Sequence, residues 1–163
     1  MRKWIVQLAL AAVLSTVSLA VLQHQRASAD DQAKPYKITN GVLDWPTFSG
    51  YLRYNASCIS CDGPDGSGSS FAPALADSLK TMSYDQFLDI VTNGRKDVSA
   101  SSDKVMPAWG TDPNVMCFVD DIYAYLKGRS DGAIERGRPK HVPVTQAERD
   151  QEDSCLGFST KTG

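Results

Sequence analysis

The chain has 163 residues, formal net charge −2, 42% hydrophobic and 22% charged content, four cysteines and two histidines. Such a size and balance fit one ordinary domain and exclude wholesale disorder, collagen-like repeats and a polybasic nucleic-acid binder. The shortage of histidine excludes a site built from several imidazoles.

Arg2 and Lys3 precede an almost continuous apolar run from Trp4 to Leu22, and Ala27-Ser28-Ala29 supplies the small residues that a signal peptidase reads. Residues 1–29 are therefore read as a signal peptide cleaved after Ala29. The alternative is an uncleaved anchor, because an apolar run of about 19 residues can span a bilayer. Cleavage removes three of the 17 basic residues and no acidic one, leaving 14 − 19 = −5. It also leaves His141 as the lone histidine, which rules out hydrolytic catalysis by serine, histidine and acid. Cys58, Cys61, Cys117 and Cys155 then lie in an oxidising compartment.

Residues 30–45 are polar at first, without apolar period, and read as a flexible lead-in. Pro46 to Ser57 is predicted as a helix, with Phe48, Tyr51, Leu52 and Asn55 at helical spacing. Gly50 inside it weakens a helix by about 1 kcal/mol relative to Ala, which points to another backbone passing close. Gly63 to Ser70 is a loop by composition, and Phe71 to Leu79, with Pro73, holds one short helical turn.

Ser83 and Gln86 form a capping-box pattern. Tyr84, Phe87, Leu88 and Val91 follow on one face, and Asn93-Gly94 stops that helix. Asp97 to Lys104 reads as a polar loop leading into Val105-Met106-Pro107-Ala108-Trp109-Gly110. Asp112 caps the clearest helix, with Pro113 at its first position. Val115, Met116, Val119, Ile122, Tyr123 and Leu126 recur with helical period before Gly128 ends it. The chain is polar after Ser130, with a short helix expected over Gln146 to Ser154.

No strand-like alternation longer than about four residues and no internal repeat is visible. The expected fold is all-α, three main helices and long loops. Such a core is thin for its length, and a large apolar prosthetic group would complete it.

Cys58-Ile59-Ser60-Cys61 at the end of a predicted helix has three chemical readings: half a zinc site, a redox dithiol, or the two thioether anchors of a c-type haem. Zinc needs two further ligands, and Cys117 and Cys155 offer no second close pair. A thioredoxin-like dithiol needs a preceding strand. The haem reading also uses Met106, a methionine flanked by Pro107, as an axial ligand.

The run from Tyr51 to Arg138 contains Tyr-Asn-Ala-Ser-Cys-Ile-Ser-Cys, Gly-Pro-Asp-Gly, Ala-Pro-Ala-Leu, Gly-Arg-Lys, Val-Met-Pro-Ala-Trp-Gly and Asn-Val-Met-Cys. It resembles class I c-type cytochromes, and more narrowly the four-cysteine, methanol-metabolism-related members. The resemblance implies a class I cytochrome c fold over 46–130 and a C-terminal extension over 131–163. It implies covalent haem c on Cys58 and Cys61, Met106 as distal ligand, and Pro73, Arg95, Lys96 and Trp109 around the haem. It further implies a Cys117–Cys155 disulfide and a first helix that packs across the last near Gly50. The implied role is a periplasmic, monomeric electron carrier for a pyrroloquinoline-quinone (PQQ) dependent methanol or alcohol dehydrogenase and a downstream acceptor. No nucleic acid and no stable membrane insertion after cleavage are expected.

The family pattern is C-x-x-C-H, and here the fifth position is Asp62. An aspartate oxygen reaches less far from its Cα than the far nitrogen of histidine, so ligation by Asp62 is not expected from an unmoved backbone. Three outcomes are open: haem with water or another small ligand on the proximal side; no attached haem, with the exported chain poorly folded or carrying a Cys58–Cys61 disulfide; or His141 swinging in from the tail. An open coordination site would suit peroxidase-like or gas-binding chemistry. A haem-free or zinc-binding export domain is the remaining alternative.

Overall fold

The computed structural model describes residues 34–99 and 102–158; the expected signal peptide and residues 30–33 of the lead-in lie outside the described residues. The chain divides into two units, Met1–Lys34 and Pro35–Gly163, and all the described strands and helices belong to the second. That unit is mainly helical, as expected. In chain order it comprises β1 (Ile38–Thr39), β2 (Val42–Leu43), α1 (Trp45–Ser57), α2 (Ile59–Asp62), a 3₁₀ turn (Pro64–Gly66), α3 (Leu75–Ser78) and α4 (Tyr84–Asn93). There follow β3 (Arg95–Ser99), β4 (Ser102–Met106), α5 (Pro113–Met116), α6 (Val119–Ser130), β5 (Lys140–His141) and α7 (Gln146–Cys155).

Local chemistry sets the helix starts. The Asp44 carboxylate accepts from the Thr47 amide at 3.3 Å ahead of α1. Ser83 and Gln86 form the expected capping box on α4, and Thr145 with Glu148 forms a second on α7. The central packing is α1 across α6, and Gly50 is the reason they approach so closely. A Cβ there would sit 1.8 Å from the Asp121 carbonyl oxygen. Tyr54 and Tyr125 pack ring against ring between these helices, centroids 5.7 Å apart, and both are fully buried.

Four readings of the chain need correction. The helix expected from Pro113 to Gly128 is two helices, broken where Phe118 leaves helical geometry at φ −128, ψ 15. Phe118 buries its ring at the break, under the Arg53 guanidinium 3.6 Å from its centroid. The hydrophobic period runs on across the break, so spacing alone does not reveal it. Nor does Gly128 end α6: the helix continues to Ser130, and Gly128 instead makes room for Ile134.

The lead-in is ordered from Pro35 onward. Asn40 and Gly41, both at positive φ (52 and 75), turn the chain between β1 and β2, the Asn-Gly hairpin signal. β5 then pairs parallel with β2, placing His141 opposite Leu43. Residues 97–104 are likewise not a loop: β3 and β4 form an antiparallel hairpin from Arg95↔Met106 to Ser99↔Ser102. A two-stranded ribbon of mostly polar residues carries no apolar alternation to betray it.

Candidate functional site

Cys58 closes α1 and opens α2, so both cysteines of the C-x-x-C are presented from one helical corner. The corner is rigid in its backbone. Cys58 N–H donates to Tyr54 O at 2.9 Å, while Cys61 and Asp62 N–H both return to Cys58 O, at 3.1 and 2.9 Å. Both cysteines are free thiols, Cys58 half-buried and Cys61 exposed. Burial, with the nearby Asp62 and Cys61, pushes the Cys58 thiol up to about 12.

Past Asp62 the chain folds back tightly. Gly63 sits at φ 73, and a Cβ there would lie 2.1 Å from Gly68 O, so only glycine fits. The fully buried Tyr54 hydroxyl donates to Gly63 O and accepts from Gly66 N–H at 3.0 Å. Gly68 N–H donates to Asp62 O at 2.8 Å, and the Ser69 hydroxyl donates to Cys61 O. Burial raises the Asp62 carboxyl above the ordinary carboxylate value.

Met106 ends β4, half-buried, and packs against the same core as Cys58, Ile59, Leu75, Met82, Leu88 and Trp109. Trp109 N–H donates to Val91 O at 2.9 Å. Phe71 and Val105 remain 68% and 55% exposed. Pro73 is exposed, as are Arg95 and Lys96 at the start of β3. Cys117 and Cys155 are joined by a disulfide that ties α7 to the α5–α6 junction.

His141 lies away from this corner, on the first turns of α1. Its ring stacks on Phe48 with centroids 3.5 Å apart, and its Nδ1 is 2.8 Å from Val142 O. Parallel pairing with β2 holds its backbone, so a swing from a loose tail to the C-x-x-C does not fit this arrangement. Among the described residues no group of three or more His, Cys, Asp or Glu is placed to hold a metal ion. No described helix is long and apolar enough to cross a membrane.

Sequence reasoning missed Tyr54 and Asp65 at this corner. Asp65 stands at φ 58 in the turn, and its side chain reaches Tyr125, Arg136 and Gly137. Its place in a Gly-Pro-Asp-Gly run marks a turn, but the partners are 60 to 72 residues away in sequence, beyond any local signal.

A covalently bound haem is matched by most of these donors. Two free thiols on one corner, a thioether across the shared core and a set of half-covered apolar side chains fit two anchors, one axial ligand and a large apolar group. The position after Cys61 does not fit a proximal ligand. Asp62 is short, acidic and fixed by hydrogen bonds on both of its peptide groups.

Residues 47–126 match the family model described as cytochrome C oxidase, cbb3-type, subunit III. The chain is 51% identical over 123 residues to cytochrome c-553I of Paracoccus denitrificans, covering 74% of this chain and 54% of that protein. It thus spans about half the length of that relative. It is 38% identical over 96 residues to cytochrome c-555 of Methylococcus capsulatus (strain ATCC 33009 / NCIMB 11132 / Bath), covering 58% and 72% of the two chains. The crystal structure of the c-type cytochrome XoxG from Methylobacterium extorquens AM1 superposes with TM-score 0.67 at 44% identity, covering 74% of this chain and 75% of that one.

Proposed function

The chain belongs to the c-type cytochromes, a family whose cofactor is covalent haem c, and on that premise we propose that it is a periplasmic one-electron carrier. Its electron donor is a PQQ-dependent methanol or alcohol dehydrogenase, and it passes electrons to a downstream acceptor. The observation that carries this reading is the likeness to XoxG over three quarters of both chains. It fits a monomeric, exported protein whose leader is removed after Ala29, with the domain over 46–130 and the extension over 131–163.

Haem c supplies the redox centre; the residues of this chain anchor it, cover it and govern its surroundings. Cys58 and Cys61 would anchor it through thioethers, and the Met106 sulfur would serve as an iron ligand. Trp109 and Pro73 would border the group, and the exposed Arg95 and Lys96 would be suited to its propionates. Asp62, fixed by hydrogen bonds at both its N–H and its carbonyl, would not take the proximal role. A partner docks over the cofactor edge through a small transient interface of the electron-transfer kind, below about 1,200 Å². The acidic balance makes that encounter sensitive to salt.

The test is protein purified from the periplasm of a host that matures cytochromes, read by its Soret band and pyridine haemochrome. The expected result is covalent haem in the chain as it stands, reduced when the dehydrogenase and its alcohol are added. Absence of covalent haem, with haem restored by Asp62→His, would overturn the reading for this chain. Asp62 itself favours one second reading, an open-coordination haem protein with peroxidase-like or gas-binding activity. It requires peroxidase activity above that of free haem, lost in Asp62→His or Met106→Ala.

A further inference from the structure

The segment that follows Asp62 is conformationally costly. Gly63, Asp65, Gly66 and Gly68 all lie at positive φ, between 58 and 81, and Asp65 carries a side chain in a region that such residues rarely occupy. A loop of this kind keeps one shape only where its surroundings hold it. Tyr54 holds it from below through Gly63 and Gly66. From the other side it is held by the last turns of α6 and the segment after it.

Asp65 is the point of attachment, with its side chain only 11% exposed. Its Oδ1 accepts from Gly137 N–H at 3.1 Å and from the Tyr125 hydroxyl at 3.4 Å, and its Oδ2 accepts from Arg136 Nε at 3.4 Å. Its carbonyl accepts from Arg129 Nε at 3.3 Å, and Arg129 also donates to Ile134 O. Ile134 is buried against Gly128. Residues 129–137 therefore form a polar cup, anchored in the core at Ile134 and closed on Asp65.

We propose that Asp65 is a positioning residue for the C-x-x-C corner: through it, the last turns of α6 and the chain that follows fix the loop that sets Cys61 and Asp62. Asp62 O is bonded by Gly68 N–H at the far end of the same loop, so loosening Asp65 frees the corner that Cys61 and Asp62 share. The proposal rests on Cys58 and Cys61 being the attachment pair, but its test does not need haem to be present.

The experiment is amide hydrogen exchange on the purified exported chain, comparing peptides covering residues 58–68 with peptides from α4. Asp65→Gly keeps the backbone conformation and removes every side-chain acceptor; Asp65→Asn keeps one acceptor oxygen and tolerates positive φ. Exchange over 58–68 is expected to rise about tenfold or more in Asp65→Gly, with α4 unchanged and Asp65→Asn close to the parent. Tyr36→Phe, which removes the 3.0 Å bond to Asp131 in the neighbouring turn, should leave 58–68 unchanged. Unchanged exchange over 58–68 in Asp65→Gly would overturn the proposal. So would an equal rise across all peptides, or an equal rise over 58–68 in Tyr36→Phe.

Discussion

The α1–α6 crossing and the C-terminal arm are held by different physics. The crossing is packed: Tyr54, Ile122, Tyr125 and Leu126 are buried on two helices that meet at Gly50. The arm, residues 131–158, buries one large apolar side chain, Ile134, and α7 buries none. It is fastened instead at points: the Cys117–Cys155 disulfide, β5 on β2, Arg138 5.0 Å over the Phe48 ring, Trp45 Nε1–H to Glu152 at 2.5 Å, and the Asp65 contacts. Packing resists through many small contacts that fail together, whereas point fastenings fail one at a time. The C-x-x-C corner lies between the two regimes, with Tyr54 tied to the packed side and Asp65 to the fastened one.

The largest break falls on the arm. Replacing Cys117 and Cys155 by serine releases a crosslink with 38 residues of separation, and costs about 4 kcal/mol on the chain-entropy model. Denaturant unfolding should show this loss, with α7 amides exchanging first. A loss shared evenly by α1 and α7 at low denaturant would show that the arm belongs to the packed unit.

Gly50→Ala attacks the crossing itself. The added methyl gains helix propensity but meets the Asp121 carbonyl, so the helices must separate, at a net cost of about 3 kcal/mol. The midpoint of thermal unfolding should fall accordingly. An unchanged midpoint would mean that the crossing is looser than its geometry.

The smallest effect sharpens the seam where the two regions meet. Burial, with Glu152, Asp120 and Asp44 nearby, raises the Asp121 carboxyl to about 7, against a hydrogen bond from Ser49 that opposes the rise. The folded state therefore favours protonated Asp121. The associated stability is full below about pH 4 and is lost as pH rises to about 7. Asp121→Asn stays neutral, so its unfolding midpoint relative to the parent should be higher at about pH 8 than at about pH 4.5. Parallel pH profiles for the two proteins would refute the assignment.

Much of the fold is legible in the sequence because helix signals are local. Ser83 and Asp112 cap where their side chains can reach the next turn, and Gly50 announces a close approach through the absence of a side chain. The Asn40-Gly41 turn carries a signal too, but it sits among polar residues that read as lead-in. The β3–β4 hairpin and the break at Phe118 are not legible. One has no apolar alternation, and the other leaves the apolar period intact.

For the site, the sequence by itself determined the chemistry on offer: two cysteines three residues apart, a methionine beside proline, and an aspartate directly after the second cysteine. These are covalent facts, independent of packing. Only the tertiary structure decided that His141 is stacked on Phe48, that Asp62 is fixed through both peptide groups, and that Asp65 joins the corner to residues 72 positions on. Those contacts bring together groups far apart in the chain, and sequence spacing carries no record of a distance that closes only when the helices pack.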